Sequence, residues 1–341
     1  MSMHILEIDP SNPSAIVRPV TSHKTLFGYA LLSGMNEEWN AEAAINGGFS
    51  HPDGLLGGLY SAGGELLVPA TGQYPVLFMK DGKVFLDDAR TKIWIEEAKN
   101  SDVAGLKVGQ DKKQAFGTIL LENFYYNQFP EDEESNDEGI YVFTPLYGSQ
   151  NRIGKPHLNA VISDGEVRGV IRENGTCEIP GDGFVISAVG DSPEKKLQEA
   201  VRPGMKLRIQ YEIETPEGKI SDYDWAYECG SRILKGGRIV VPDYDGWVGT
   251  LTIRTPRTAV GIKGDGTLVF VVADGRQKGL SDGLTGEELA IRLLSLGIRD
   301  AAFLDGGASS EMIIQNRIVT SPSAGRERMM ASCFVVLKAG P

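Results

Sequence analysis

The sequence predicts an α+β fold: extended, mostly antiparallel sheets with flanking helices and one β-α-β crossover near the C-terminus. Three observations carry this expectation. Glycine is abundant, 42 of 341 residues, and recurs at short intervals, which suits strands and tight turns better than a helical bundle. Short alternating or wholly apolar segments stop repeatedly at Asp-Gly or Gly-Gly pairs. One clear amphipathic segment, 285–296, lies between two apolar runs, the order expected of a strand, a helix and a strand.

Taken from the N-terminus, residues 4–8 and 15–20 read as a pair of strands, and 24–35 as a helix on a loose apolar period. Residues 43–45 form a short buried run that ends in Asn46-Gly47-Gly48-Phe49-Ser50. Lys80-Asp81-Gly82-Lys83 and Asp164-Gly165 are hairpin turns. The acidic run 131–138 reads as a solvated loop, with calcium binding the lesser alternative. Residues 183–189 form a strand. Residues 192–201 form a helix, with Pro193 in the first turn and Gly204 past the end, and 205–214 alternates as a strand.

The last ninety residues are the most explicit. Segments 258–262 and 268–273 make a hairpin about Gly264-Asp265-Gly266. In 285–296, Leu289, Leu293 and Leu296 share a face, Thr285 and Glu288 have capping-box spacing, and Gly297 marks the stop. Residues 301–304 are the next strand. A crossover of this kind makes 268–273 and 301–304 parallel neighbours. Asp274 and Asp305, each just past a strand end, then lie about one strand spacing, ~4.8 Å, apart. The carboxyl edge of parallel strands is where ligands bind in open α/β sheets. For domains, the expectation is a main domain over 41–341 with residues 1–40 packed on it as an added edge.

Composition narrows the function. A net charge of -12 with no basic cluster excludes nucleic acid and anionic membrane surfaces as partners. Three cysteines, Cys177, Cys229 and Cys333, lie far apart with no CxxC, so neither a disulfide framework nor a zinc knuckle is indicated. No apolar run reaches the 18 residues of a membrane span. Met1-Ser2-Met3 runs straight into a strand and reads as the remnant left when a leader is removed. GxGxxG, P-loop and HExxH motifs are absent, and no cofactor or metal is expected. Gly279-Leu280-Ser281-Asp282-Gly283 fits GxSxG, but all four histidines (His4, His23, His51, His157) lie upstream and no strand precedes the serine.

Between the apolar runs at 303–304 and 312–314 lies Asp305-Gly306-Gly307-Ala308-Ser309-Ser310. Glycines admit close approach of the backbone, and the aspartate and serines are hydrogen-bonding groups. Two readings stand: the floor of a site for an oxygen-rich ligand, or a tight hairpin with Asp305 in a turn position.

Five segments decide for the site: Ile45-Asn46-Gly47-Gly48-Phe49, Arg257-Thr258-Ala259-Val260-Gly261, Asp274-Gly275-Arg276, Leu284-Thr285-Gly286-Glu287-Glu288-Leu289-Ala290 and Leu304-Asp305-Gly306-Gly307-Ala308-Ser309-Ser310. Their order and spacing resemble the phosphodiester glycosidase family. The resemblance runs from about residue 41 to 336. It departs at Ser50, where a second phenylalanine is usual, and at Ala308, where a third glycine is usual. Both changes alter the shape of a sugar pocket without removing a charge.

The resemblance implies a hydrolase cleaving the glycosidic bond of a sugar-1-phosphodiester, of the N-acetylglucosamine-1-phosphodiester kind. It implies an extracellular or cell-envelope setting. Asp305 and Asp274 then stabilise an oxocarbenium-like centre or activate water, one of them with a raised pKa if they share an edge. Arg276 and Arg257 hold the phosphate. Asn46, Thr258, Glu288, Ser309, Ser310 and the backbone N–H groups of Gly47, Gly48, Gly306 and Gly307 contact substrate. Plainer roles stand beside these: Asp274-Gly275 as a turn, Arg257 as a surface strand end, Glu288 as a helix cap, Asn46 as a turn former, His51 as an exposed side chain. The competing functions are a non-catalytic module for anionic glycans in exopolysaccharide or cell-wall assembly, and a phosphodiesterase breaking P–O with a metal pair.

Overall fold

The computed structural model describes residues 1–98, 118–129 and 138–339, so most of the acidic run 131–138 lies outside the described residues. The chain divides into two compact units: residues 1–63, 70–90 and 222–341 in the first, 64–69 and 91–221 in the second.

The first unit carries the predicted site. Its largest sheet runs Met3–Ile8, Leu268–Ala273, Arg257–Lys263, Ile298–Phe303, Arg232–Lys235, Arg238–Ile239. A second sheet runs Ala15–Thr21, Ser332–Lys338, Ala43–Asn46, Met312–Ile314, Arg317–Ile318. Phe270 of the first sheet and Phe334 of the second meet with ring centroids 5.0 Å apart. The outer face of the first sheet is covered by the helix Gly286–Ser295, whose Leu289, Ala290 and Leu293 pack on Val269, Val271, Ala301 and Phe303. The outer face of the second is covered by the short helix Leu32–Glu38, with Leu32 and Met35 against Ala44, Ile313 and Val335.

The second unit contains a sheet ordered Tyr125–Tyr126, Gly139–Phe143, Gly183–Val189, His157–Ser163, Glu166–Glu173, together with the helix Asp191–Ala200. Its polar core is a hydrogen-bonded network in which Asn159 Nδ2 is left without a partner among the described residues. Asn151 Nδ2 meets His157 Nε2 at 2.9 Å and Ser187 Oγ at 3.1 Å, Ser187 Oγ donates to Asn159 at 2.6 Å, and His157 Nδ1 meets the Lys155 carbonyl at 2.6 Å.

Local signals are realised closely. Asp81-Gly82 and Asp164-Gly165 both have consecutive positive φ values, 50° and 70°, 48° and 68°, as a two-residue hairpin turn requires. Thr285 and Glu288 form a reciprocal capping box, and Gly297 closes the helix at φ 81°.

Three expectations need correction. Segments 4–8 and 15–20 do not pair with each other: Met3–Ile8 pairs with Leu268–Ala273, and Ala15–Thr21 with Ser332–Lys338. The helix expected over 24–35 is displaced to Leu32–Glu38, after a single 3-10 turn at Ser22–Lys24 whose His23 and Lys24 have positive φ. Finally, Leu268–Ala273 and Ile298–Phe303 are not neighbours. Arg257–Lys263 lies between them, antiparallel to both. They run the same way two positions apart, so Asp274 and Asp305 leave the sheet about 10 Å from each other rather than about 5 Å.

Candidate active site

The stretch after Ile298–Phe303 is no hairpin: it leaves one sheet and enters the other. Leu304 N–H bonds the Thr258 carbonyl at 3.0 Å, the last link to the first sheet, and Met312–Ile314 then pairs with Ala43–Asn46 in the second. In between, Gly307–Ser309 makes one 3-10 turn with Gly307 at φ 61°, and Gly307 N–H bonds the Pro256 carbonyl at 2.9 Å.

The crossing is braced by Asn46. Its Nδ2 donates to the carbonyls of Asp305 (2.7 Å) and Gly47 (3.1 Å). Its Oδ1 accepts from Thr258 Oγ1 (2.8 Å) and from Glu311 N–H (3.2 Å). The amide's donors and acceptor are fully engaged, so Asn46, with Thr258, fixes the floor. The backbone donors proposed from the sequence are engaged as well. Gly47 N–H bonds the Ser332 carbonyl at 3.0 Å, and Gly48 N–H bonds Tyr227 Oη at 2.7 Å. Gly306 N–H turns back to the Asp305 carboxylate. Gly47 is required by crowding, since a β-carbon there would stand 2.4 Å from Ser332 Oγ.

The two aspartates differ. Asp305 is half-buried and takes a hydrogen bond from the Ser309 hydroxyl. Burial pushes its carboxyl above the ordinary aspartate value, against the pull of Ser309, Arg328 and Gly306. The cause is desolvation, not repulsion by Asp274. Asp274 is 2% exposed. Its Oδ2 meets His4 Nε2 at 3.0 Å and its Oδ1 accepts from Ser321 N–H at 2.9 Å, so it acts here as a buried tether.

The arginines divide likewise. Arg257 is 1% exposed and lies against the Phe303 ring. Nε donates to the Leu284 carbonyl (3.1 Å), and Nη2 donates to those of Thr250 (3.2 Å) and Ile253 (2.9 Å). Burial, then the nearby Arg276, lowers its pKa to about 10, leaving it cationic at neutral pH. Arg276 is exposed, with a left-handed φ of 56°, and its guanidinium sits 3.3 Å from where a Gly307 β-carbon would stand.

Glu288 belongs to the helix. It completes the capping box and pairs with Arg254, which together hold its carboxyl below the usual value. His51 is exposed, edge-on to Trp247. Ser281 of the GxSxG segment is buried, donating to the Asp274 carbonyl at 2.6 Å.

Several groups at the site escaped the sequence reading. Glu311 is fully buried: Oε1 accepts from Arg328 N–H at 2.9 Å, and Oε2 has no partner among the described residues. Burial, with Glu327 adding to it, pushes its pKa to about 7. Ser310 Oγ is likewise buried without a partner among the described residues. Such atoms call for a proton, a water or a ligand group. A charged residue between Ser310 and a buried apolar run was the available signal for Glu311. Nothing local marked His4, Ser321 or Arg328. Among the described residues no group of three or more His, Cys, Asp or Glu side chains is arranged to hold a metal.

The architecture recurs in solved structures. A hypothetical protein from Synechocystis superposes with TM-score 0.78 at 19% identity, over 99% of this chain and 59% of that one. A protein of Burkholderia pseudomallei K96243 described as exported gives 0.72 at 21% identity, over 98% of this chain and 73% of that one. At such identities the likeness shows the fold alone. In sequence, 86 residues are 35% identical to the uncharacterised SPbeta prophage-derived protein YomE of Bacillus subtilis (strain 168), covering 25% of this chain and 13% of that protein. The chain thus matches about an eighth of that relative's length. The sequence model of the phosphodiester glycosidase family matches residues 157–337, more than half of the chain, and the chain belongs to that family.

Proposed function

We propose that this protein hydrolyses the bond between an anomeric carbon and a phosphodiester oxygen, with Asp305 as the reacting carboxylate. The observation that carries this is Asp305 itself: a half-buried carboxyl with a raised pKa, just past the end of a strand and two residues before Gly307, over which the exposed Arg276 guanidinium stands. A carboxylate of that kind suits proton abstraction near neutral pH. Water attacks the anomeric carbon and gives its proton to Asp305. The carbon–oxygen bond breaks, and its electron pair leaves on the phosphate monoester. That leaving group is a weak base, so one accessible carboxylate suffices where ordinary glycoside cleavage uses two. Arg276 offsets the charge that grows on the phosphate. N-acetylglucosamine in α-linkage is the sugar we put forward, and cell-envelope or exopolysaccharide material the setting.

The burial of Asp274 favours a second reading, a module that binds an anionic glycan without turning it over. One assay separates the two. Wild type and Asp305→Asn are incubated with UDP-N-acetylglucosamine in ¹⁸O water, and free sugar is measured. Release of labelled sugar by wild type and its loss in the variant support hydrolysis at carbon. Label in the phosphate would mean P–O cleavage, and binding without release would leave the module.

A further inference from the structure

The segment from Ser321 to Arg328 is pinned at both ends and open in the middle. At one end Ser321 N–H bonds Asp274 Oδ1 at 2.9 Å, its carbonyl accepts from Gln277 Nε2 at 2.6 Å, and its hydroxyl donates to Gln277 Oε1 at 2.8 Å. At the other end Arg328 N–H bonds Glu311 Oε1 at 2.9 Å. Beside it, the two oxygens of Glu327 take the N–H and hydroxyl of Ser33 at 2.9 and 2.8 Å. The middle turns through Pro322–Gly325, where Gly325 at φ 72° bonds the Pro322 carbonyl, and residues 324–326 are exposed.

The Glu311 post is tied to the Asp305 crossing through the floor. Asp274 opens the Asp274-Gly275-Arg276 segment. Glu311 follows the Asp305 crossing and bonds Asn46, which in turn holds the Asp305 carbonyl. The backbone of Arg328 is therefore two hydrogen-bonded residues away from Asp305. The guanidinium of Arg328, an exposed residue, is also a charge that Asp305 feels. Asp274 and Glu311 are buried carboxylates that each hold the chain of this segment, and Arg257 is tied to three carbonyls. Two exposed arginines then remain in this neighbourhood: Arg276, whose guanidinium stands over Gly307, and Arg328, whose charge reaches Asp305.

We propose that Arg276 and Arg328 form a two-arginine seat for the phosphate group of the ligand, with Asp274 and Glu311 as positioning residues that set the Ser321–Arg328 strap. The proposal rests on reading the surroundings of Asp305 as the substrate site. It accounts for why an acidic chain of net charge -12 can hold an anion, since paired guanidinium groups at close range outweigh the distant field. It also fits the reaction, because the phosphate gains negative charge as its ester oxygen leaves the sugar.

Uridine diphosphate, the anionic product of the assay above, is the probe. Its binding is measured by calorimetry at low and high salt for wild type, Arg328→Gln, Arg328→Lys, Arg276→Gln and the neighbouring Arg326→Gln. Arg328→Gln and Arg276→Gln should each weaken binding tenfold or more and flatten its salt dependence. Arg328→Lys should recover part of the loss, and Arg326→Gln should stay within twofold of wild type. Glu311→Ala should weaken binding and speed tryptic cleavage after Arg326 and Arg328, as expected of a loosened strap. Arg328→Gln binding within twofold of wild type, or no binding by wild type at millimolar probe, overturns the seat. Sugar release by wild type tests the functional reading separately. Arg328-dependent binding without turnover sinks hydrolysis and keeps the seat; turnover indifferent to Arg328 does the reverse.

Discussion

Replacing Glu311 with glutamine isolates a single buried proton. The side chain is fully buried, and burial raises its pKa from 4.5 to about 7, with Glu327 reinforcing the shift and Arg328 N–H opposing it. An acid whose folded pKa is raised holds its proton more tightly in the folded state. Its favourable contribution is present at low pH and is lost as pH rises from 4.5 through 7. At about 1.4 kcal/mol per pH unit, that displacement is worth about 3 kcal/mol. Glutamine keeps the shape and one acceptor oxygen for Arg328 N–H but does not ionise. Thermal midpoints of wild type and Glu311→Gln, followed from pH 4 to 9, should therefore diverge. The variant should gain on wild type by about 5 °C between pH 4.5 and 8.5, taking the usual unfolding entropy per residue. A constant offset, from the new amide hydrogens, does not affect the comparison. A difference independent of pH, or one that grows in favour of wild type as pH rises, would refute the assignment of a buried proton to Glu311.

The remaining expectations concern the floor, the helix and the second unit. Because Asp305 must be ionised to accept a proton and its pKa is raised by burial, the acid limb of kcat/KM should lie above the ordinary aspartate value of 3.8; a limb at or below it would remove Asp305 as the base. Asn46→Ala strands the Thr258 hydroxyl, the Asp305 carbonyl and the Glu311 N–H together, so a loss of about 3 kcal/mol or more is expected in urea unfolding, with turnover falling in parallel. Thr285→Ala should cost about 1 kcal/mol, the usual worth of a helix cap, with KM unchanged; a shift in KM would restore the helix start to the site. His157 is held neutral by burial, which lowers its pKa, so its contribution should be lost as pH falls below about 6.5, and His157→Gln should flatten the acid side of the melting curve.

What could be read from the sequence was what neighbouring residues decide together. Asp81-Gly82 and Asp164-Gly165 specify their turns because the backbone sign is a local property. The capping box at Thr285 and Glu288 is contained within four consecutive residues. The small, polar crossing at Asp305 was legible because no buried strand pair requires it. What was lost lay in distant pairing. His4, 270 residues from Asp274, gives that carboxylate a buried partner that no local pattern announces. The strand Arg257–Lys263, inserted between two strands expected to touch, doubles the separation of the aspartates. Arg257 read as a phosphate ligand or a surface residue, and its three carbonyl partners, on Thr250, Ile253 and Leu284, are brought to it only by the finished fold.

The pairing of Met3–Ile8 with Leu268–Ala273, and of Ala15–Thr21 with Ser332–Lys338, also places a demand on synthesis. The first two strands emerge long before their partners exist. At about 5–20 residues per second, some 270 intervening residues take roughly 15–50 s to appear. Throughout that interval the opening segment must stay unpaired and soluble, so the two strands that close the edges of both sheets are among the last to dock. Fusion partners or early residues that hold this segment back should slow completion of the site, because His4 reaches Asp274 only when the edge closes.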